Sequence, residues 1–383
     1  MSDPPVYLDH AATTPPRPEV LREMRPLMET HWGNPSSVHA AGRKARAMLE
    51  DARARLAATI GAAPGEIVFT RAGTEADNLA VLGRARALRG APVACSAIEH
   101  KAVLGAMRAV AADGARLIVL PVDGDGVVEV DALRPAFAGH PAVVSVMWAN
   151  NETGALQPIE KIAEACDANG ACFHSDAVQA LGKVPVRVDR LPVDLLSFSA
   201  HKLGGPRGAG ALFVRRGTSL SPLLFGGGQE RGLSPGTEDV ASAVGFALAA
   251  ELAERERERS MARLGALRDR LEAGLRAAVP ELVVNAAAAP RLPTVLNVSV
   301  PGADAEALLM ALDLEGVAVS SGSACSSGAV EPSHVLTAMG LPPETAGPSV
   351  RFSLGWTTSD NDVERALAVF PAVAERIRAM AAM

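Results

Sequence analysis

The stretch that decides the fold is Val193-Asp-Leu-Leu-Ser-Phe-Ser-Ala-His-Lys-Leu-Gly-Gly-Pro-Arg-Gly-Ala-Gly-Ala-Leu-Phe-Val214. Its two apolar runs predict two buried strands, and the glycines between them let backbone pack closely around a bound group. Lys202 lies between the strands, where its ammonium is poorly solvated and its pKa is lowered. The free amine can then condense with an aldehyde, and we predict that this aldehyde is pyridoxal phosphate (PLP). The alternative is a lysine that extends from a hairpin into solvent.

The chain has only five lysines, so the candidates can be compared. The other four lie in amphipathic helical patterns, at the start of such a pattern or after a turn (Lys44 and Lys161, Lys101, Lys183). Only Lys202 has hydroxyls, a histidine and glycines beside it at the end of a predicted strand. The neighbouring segments must therefore support Lys202 or reject it.

Composition and charge exclude several classes of protein. The 383 residues are 48% hydrophobic, which suffices for about two domains with proper cores. A net charge of −6 argues against nucleic acid or an anionic membrane as the main partner, and no apolar stretch approaches the roughly 20 residues that cross a bilayer. The first residues lack the pattern of a signal peptide, and the four cysteines show neither CxxC pairing nor zinc spacing. We therefore expect a cytoplasmic protein without a metal site.

Helical and strand patterns alternate from about residue 40 to residue 260. This alternation predicts an α/β fold with a mainly parallel sheet covered on both faces, and with ligands at the carboxyl ends of the strands. A long helix over Ala241–Ala278, single or kinked, leads into a second, smaller part. That part has strands near Thr294–Val300 and Val317–Ser320 and a closing helix over Asp362–Met380. We place the large PLP-binding domain at residues 14–255 and the small domain at residues 1–13 and 256–383.

Polar side chains follow several of the predicted strands. After the strand Ala171–His174, Asp176 can pair with a protonated pyridine nitrogen and keep the ring an electron sink, or it caps the next helix. Gln179 can donate to the phenolic oxygen of the ring or lie exposed. His100, which follows the strand Pro92–Ser96, can lie over the ring and move protons near neutral pH, or it is a hydrogen-bonded core histidine. Each residue is ambiguous by itself, but all of them lie at strand ends.

A phosphate site is predicted where the segment Thr70-Arg-Ala-Gly-Thr-Glu-Ala-Asp-Asn78 links a strand to a helix. Gly73 and Thr74 open that helix, where free N–H groups and the helix dipole favour a phosphate. Further donors to the same anion are Ser199, His201 and Thr237. Taken alone, the glycines are simply turn residues.

Two other segments offer groups for a substrate. Asn150 and Asn151 end a strand, and an amide there can bond either the ring oxygen or a substrate carboxylate. Arg351 can hold a carboxylate with two parallel hydrogen bonds, or it forms a surface ion pair.

Cys325 lies in the run Val319-Ser-Ser-Gly-Ser-Ala-Cys-Ser-Ser-Gly-Ala-Val-Glu-Pro-Ser-His334. Small and polar neighbours with glycines on both sides are typical of an accessible thiol, which can act as a nucleophile. Cys95, Cys166 and Cys172 are instead typical of small core residues. The loop contains no base close in sequence, so we expect activation of Cys325 from elsewhere.

Taken together, these segments resemble the cysteine desulfurase family, the NifS/IscS group of the class V aminotransferases. The resemblance runs from Tyr7-Leu-Asp-His-Ala-Ala-Thr-Thr14 to the C-terminal helix. Its most specific motifs are Ser199-Ala-His-Lys-Leu-Gly-Gly-Pro206 and Ser321-Gly-Ser-Ala-Cys-Ser-Ser-Gly328, and Asn34-Pro-Ser-Ser-Val-His39 also matches. The family implies the PLP-dependent transferase fold of type I and a homodimer with each coenzyme near the subunit interface.

The resemblance implies that sulfur is removed from L-cysteine, which leaves L-alanine and a persulfide on Cys325. In that scheme Lys202 carries PLP and, with His100, moves protons, while Asp176 meets the ring nitrogen. The other implied contacts are Gly73, Thr74, Ser199, His201 and Thr237 of the partner subunit on the phosphate, Asn151 and Gln179 beside the ring, and Asn34 with Arg351 on the substrate carboxylate. The implied sulfur acceptor is an iron–sulfur scaffold or a sulfur-carrier protein for thiolation.

Other enzymes of this fold stay open as alternatives, notably a selenocysteine lyase or an aminotransferase. An aminotransferase has no use for the cysteine loop, and a non-catalytic sulfur-relay subunit has no need of Lys202. The chain also departs from the family pattern at two places. Ser234 stands where an arginine is usual, and Arg71-Ala72 replaces a commoner Ser-Gly pair, so the surroundings of the phosphate are expected to differ.

Overall fold

The computed structural model describes residues 5–321 and 332–381 of the chain. Within these ranges the strands are β1 (Val6–Tyr7), β2 (Ile67–Thr70), β3 (Val93–Ser96), β4 (Leu117–Leu120), β5 (Val143–Ser145), β6 (Phe173–Asp176), β7 (Leu195–Ser199), β8 (Gly210–Val214), β9 (Val283–Val284), β10 (Val295–Ser299), β11 (Val317–Ala318) and β12 (Ser349–Ser353). The helices are α1 (Pro18–Glu29), α2 (Ala40–Ile60), α3 (Gly73–Asn78), α4 (Arg84–Ala87), α5 (Lys101–Ala112), α6 (Arg134–Phe137), α7 (Ile159–Ala168), α8 (Val240–Ala278), α9 (Ala305–Leu314), α10 (His334–Ala338), α11 (Pro343–Ala346) and α12 (Asp360–Ala381). A π-helical turn, Leu79–Gly83, joins α3 to α4, and 3-10 turns lie at Pro64–Glu66, Val130–Leu133, Ala200–Lys202 and Gln229–Gly232.

Seven strands of the described residues form the larger sheet, in the order β2-β8-β7-β6-β5-β3-β4. The strands β7, β6, β5, β3 and β4 are parallel to their neighbours. Only β8 runs the other way, because it is antiparallel to both β2 and β7. This confirms the predicted mainly parallel sheet, and it brings the carboxyl ends of all its strands except β8 to one edge.

The two apolar runs around Lys202 form the predicted strands β7 and β8, whose turn carries the lysine. All five residues of β7 are buried, as a central strand requires. The glycine-rich turn permits a close approach of backbone, because a Cβ on Gly210 would lie 2.5 Å from the carbonyl carbon of Ala72. The strand end at Lys202 is thereby pressed against the loop that begins α3.

Helix α8 is a single helix of 39 residues that links two hydrophobic clusters. Its first half, with Phe246, packs in a cluster that runs along the chain from Val20 to Ala253. Its second half, with Leu271, packs in a cluster that includes residues from Val6 to Ile377. The predicted domain boundaries stay a prediction, and two clusters that divide within α8 support them.

The smaller cluster is built on two small sheets. The antiparallel sheet has the order β12-β10-β9, and β1 pairs with β11 in parallel. Asp9 forms a bridge with Ser353, so the segment that follows β1 starts at this sheet and continues to the carboxyl edge of the larger one. In the described residues no helix combines the length and the apolarity needed to cross a membrane.

Candidate active site

Lys202 lies at the carboxyl edge of the larger sheet, in the 3-10 turn directly after β7. Its Nζ donates to the carbonyl oxygens of Ala11 and Ala12 at 2.6 and 2.7 Å. Both acceptors belong to the segment that follows β1, which we call the N-terminal segment (residues 9–14). Backbone carbonyls therefore hold the amine in place, and no residue-specific pattern in the sequence pointed to them.

Gln179 lies beside this amine and shares one of its acceptors. Its Nε2 donates to the carbonyl oxygen of Ala11 at 3.0 Å, and its Oε1 accepts from Nζ of Lys183 at 2.7 Å. Gln179 is buried, so the alternative of an exposed glutamine is wrong. Burial lowers the pKa of Lys183 to about 7, and the charges of Lys202 and Arg351 act in the same direction.

Asp176, at the end of β6, is buried next to His100 and Asp77, and one ligand atom of each of these three side chains lies within 4.8 Å of the others. Asp176 also accepts from the backbone N–H of Val178 at 2.9 Å, so it orders the turn as well as facing the site. Burial raises the pKa of Asp176, against the opposing charges of His100 and Lys202. Burial lowers the pKa of His100, and its Nδ1 caps α5 by accepting from Ala102 at 3.2 Å.

The buried acids fit the ring nitrogen of a coenzyme. Asp77 is fully buried, and its Oδ1 has no hydrogen-bond partner among the described residues. Burial raises the pKa of Asp77, as do the nearby carboxylates of Asp176 and Glu99. A protonated pyridine nitrogen would supply the positive charge that this group of acids lacks.

Two further residues near Asp176 are buried, and of these Glu99 was not predicted from the sequence. Glu99 accepts from Ser96 and from the backbone N–H of Met147, and burial raises its pKa to about 8. His174 is hydrogen-bonded to Ser145 at 2.8 Å and to Ser197 at 2.9 Å, and burial lowers its pKa to about 3. The position of Glu99 directly before His100 was the available signal, since it placed a carboxylate at the same strand end.

The predicted phosphate site lies where α3 begins. Helix α3 starts at Gly73, and a Cβ there would lie 2.9 Å from Cγ2 of Val178 and 3.4 Å from Cβ of Ser199. Gly73 and Ser199 thus lie together beside the turn of Asp176, and the bare glycine leaves backbone N–H groups accessible to an anion. His201 shares a hydrogen bond with Thr13 at 3.1 Å, and burial lowers its pKa to about 4, so the ring is neutral at pH 7. Thr74 is exposed at the same helix start.

Thr237 is exposed and lines a cavity at the outer edge of β2 together with Arg71, Gly210 and Ser234. Both departures from the family pattern lie here, and both bond Glu75. The Ser234 hydroxyl donates to Oε1 of Glu75 at 2.7 Å, and the Arg71 backbone N–H donates to its Oε2 at 2.8 Å. The Ser234 side chain and the backbone of Arg71 are therefore joined through one carboxylate at the start of α3.

Arg351, in β12, is only 3% exposed, so the alternative of a surface ion pair is wrong, while its role in holding a carboxylate stays a prediction. Its Nη2 donates to Oδ1 of Asp9 at 2.6 Å and its Nη1 to the carbonyl oxygen of Asn151 at 2.9 Å. Its Nε is buried and has no hydrogen-bond partner among the described residues. Asp9 and Asn151 thus fix the guanidinium at two of its three nitrogens.

The two asparagines after β5 have different surroundings. Asn150 is buried and turned back on its own loop, where it donates to Ile98 and accepts from Glu152 and Thr153. Asn151 is half-buried, with its carbonyl on Arg351. Asn34 is exposed, its Oδ1 accepts from the backbone N–H of Ser36 at 2.8 Å, and the described contacts do not bring it to Arg351.

Cys325 lies outside the described residues, so its predicted role stays a prediction. Cys95, Cys166 and Cys172 are free and buried, which confirms their interpretation as small core residues. Burial raises the pKa of Cys166 to about 12 and also raises the pKa of the Cys95 and Cys172 thiols. These three thiols are therefore poor nucleophiles near neutral pH.

Comparison with known proteins matches residues 6–366 to the family described as Aminotransferase class-V. The cysteine desulfurase IscS of Dictyoglomus turgidum is 44% identical over 375 residues, which cover 97% of this chain and 95% of that protein. The cysteine desulfurase IscS of Methanosarcina thermophila is 44% identical over 377 residues, or 98% of this chain and 93% of that one. The solved structure of a NifS-like protein from Rickettsia africae superposes with a TM-score of 0.89 at 33% identity and covers 97% and 99% of the two chains.

Proposed function

The chain belongs to the class-V aminotransferase family and is a PLP-dependent cysteine desulfurase, and we propose that Lys202 and Cys325 carry its reaction. The observation that supports this most directly is the amine of Lys202, held by two backbone carbonyls at the strand edge where Asp176 and His100 meet. An amine, a buried carboxylate and a neutral imidazole are the groups needed to hold PLP and move protons beside it.

PLP, when bound, draws electrons away from the α-carbon of the amino acid. Lys202 would hold the coenzyme through Nζ and would carry a proton at that carbon. Asp176 keeps the ring nitrogen protonated by its negative charge. Burial lowers the pKa of His100, which favours the neutral imidazole that can accept a proton. The phosphate would be bound by Gly73, Thr74, Ser199 and His201. The ring would be flanked by Gln179 and Asn151.

Arg351 binds the substrate carboxylate through its unpartnered Nε edge, with Asn34 as the second contact. With its carboxylate held there, L-cysteine keeps its side-chain sulfur free for attack. The Cys325 thiolate attacks the substrate sulfur, so that a sulfur–sulfur bond forms and the bond between sulfur and carbon breaks. The electron pair stays on the carbon, which takes up protons and leaves as L-alanine, while Cys325 keeps the sulfur as a persulfide.

We further propose that two chains form the working enzyme. Trp32 and Val38, on either side of Asn34, are 76% and 88% exposed, and Phe225, in the loop that leads to Thr237, is 87% exposed. Large apolar side chains with such high exposure indicate a surface that a partner covers. A homodimer covers them and brings Thr237 of the partner subunit to the phosphate. The persulfide then passes to an iron–sulfur scaffold or a sulfur carrier in the cytoplasm.

Two mass measurements test the proposal. Borohydride reduction of the holoenzyme followed by peptide mass spectrometry is expected to fix the coenzyme on Lys202, while Lys101→Met leaves that labelling unchanged.

Incubation with L-cysteine without reductant is expected to add one sulfur to the Cys325 peptide. Cys325→Ala abolishes that gain and Cys166→Ala, the matched control, keeps it. Alanine formation without sulfur on Cys325 would rule out the persulfide step.

A further inference from the structure

Lys183 brings a second amine into the coenzyme site, although no carboxylate contacts it among the described residues. Its Nζ donates to Oε1 of Gln179 at 2.7 Å, and it lies near enough to Lys202 and Arg351 for their charges to lower its pKa. An ammonium in this half-buried position without a counter-charge is unfavourable. The fold nevertheless places it there, so its contact with Gln179 needs an explanation.

The backbone forces Lys183 inward. The turn after β6 closes with a hydrogen bond from the Lys183 backbone N–H to Ala180 at 2.9 Å. Gly182 has a φ of +70°, and a Cβ on it would lie 2.6 Å from Cβ of Ala253 in α8. Because the turn is packed this tightly on α8, the lysine side chain runs back along the turn to Gln179, four residues earlier.

We propose that Lys183 is a positioning residue that holds the Gln179 amide with Oε1 on its own Nζ and Nε2 toward Ala11 and the coenzyme. While Lys183 is protonated, a rotated amide would set its NH2 group against the Lys183 ammonium and its oxygen against the Ala11 carbonyl, so both contacts would be lost. Nε2 carries two hydrogens. Ala11 accepts one of them, and the other is left for the phenolic oxygen of the ring.

The same chain of hydrogen bonds reaches the amine that holds the coenzyme. The carbonyl oxygen of Ala11 accepts from Nε2 of Gln179 at 3.0 Å and from Nζ of Lys202 at 2.6 Å. Lys183, Gln179, Ala11 and Lys202 are thus linked in series. Loss of the Lys183 contact therefore disturbs both the contact to the ring oxygen and the acceptor that orients Lys202. This inference rests on the coenzyme contact proposed above for Gln179.

A double-mutant cycle on the holoenzyme tests the inference, with Gln179→Ala, Lys183→Met and the double variant. The readouts are the absorption spectrum of the bound coenzyme and its dissociation constant, besides kcat and KM for L-cysteine. Lys183→Met is expected to weaken coenzyme binding about tenfold, the size of one hydrogen bond to a charged group, and to shift the absorption maximum. Lys183→Arg restores both because it keeps a donor. In the Gln179→Ala background, Lys183→Met has no further effect.

The outcomes separate the two levels of the argument. If Gln179→Ala leaves the absorption spectrum and the coenzyme affinity unchanged, Gln179 does not contact the coenzyme, and this inference fails with that contact. A changed Gln179→Ala with an unchanged Lys183→Met overturns only the role of Lys183. Additive effects in the double variant also overturn it, since they would reveal a role independent of Gln179. If Lys183→Met does not fold by circular dichroism, the shorter Lys183→Gln replaces it, and wild-type behaviour of that variant overturns the inference.

Discussion

Replacement of Glu99 by glutamine is expected to stabilise the protein at alkaline pH. Oε1 of Glu99 accepts from Ser96 and Met147, whereas Oε2 is buried and has no hydrogen-bond partner among the described residues. A glutamine can keep its oxygen at the Oε1 position and put its NH2 group where Oε2 was. It therefore reproduces the protonated carboxyl and cannot ionise.

The magnitude follows from the pKa of Glu99, which burial raises from 4.5 to about 8. Above pH 4.5 the unfolded chain releases this proton, whereas the folded protein keeps it until about pH 8. The contribution of Glu99 to stability is therefore fully present below pH 4.5 and is lost as the pH rises to about 8. At 1.36 kcal/mol per pKa unit, Glu99→Gln gains up to about 5 kcal/mol of stability over the wild type across this interval.

Urea unfolding at a fixed protein concentration, repeated at steps from about pH 4.5 to about pH 8, measures the difference. The midpoints of the two proteins are expected to coincide at the acid end and to separate as the pH rises, with the variant more stable. Glu258→Gln on the exposed face of α8 is the matched control and should track the wild type throughout. A difference that stays constant with pH, or a variant that is less stable at the alkaline end, would refute the burial argument.

Three further changes have expected outcomes. Asp9→Asn removes the charge that holds Arg351, so KM for L-cysteine should rise about tenfold with a smaller change in kcat. Steady-state kinetics measures both constants, and a recovery of KM in Asp9→Glu would show that the lost charge is the cause. Gly182→Ala must accept a positive φ and a methyl group 2.6 Å from a facing alanine of α8, which should cost about 2–4 kcal/mol of unfolding free energy in urea. Arg53→Met leaves the buried carboxylate of Glu230 without its ion pair and should cost about 3–5 kcal/mol by the same measurement. A loss below about 1 kcal/mol in either would contradict the packing or pairing argument.

The parts of the fold that were predicted from the sequence are those with a local pattern. The hairpin of β7 and β8 shows both apolar runs and the intervening glycines in one window, and α8 was expected over nearly its whole length. The strand expected at Ala142–Trp148 is observed only as Val143–Ser145, although Trp148 still donates to the carbonyl of Asp176. The ends of strands were thus harder to predict than their middles, because the last backbone hydrogen bonds of a strand depend on the length of its neighbour.

The N-terminal segment could not be predicted, because its contacts are distant in sequence and involve backbone. Ala11 and Ala12 act through carbonyl oxygens that every residue type has, and they meet an amine 191 and 190 residues away. The Asp9 carboxylate meets Arg351 across 342 residues. Lys183 had the signal of a turn lysine only, since nothing in the sequence shows which way its side chain runs. Asn34 and Thr237 keep their predicted roles as proposals, and that of Thr237 needs a second copy of the chain.

The order of synthesis gives the N-terminal segment a further consequence. Its residues leave the ribosome before those of β11 and β12, yet β1 pairs with β11 and Asp9 with Ser353. A nascent chain that carries Lys202 but not yet β12 lacks the strand on which the N-terminal segment lies. The carbonyl oxygens that orient the amine are therefore not yet held in place. Capture of the vitamin B6 aldehyde should accordingly come at the end of translation, and truncated products should emerge colourless.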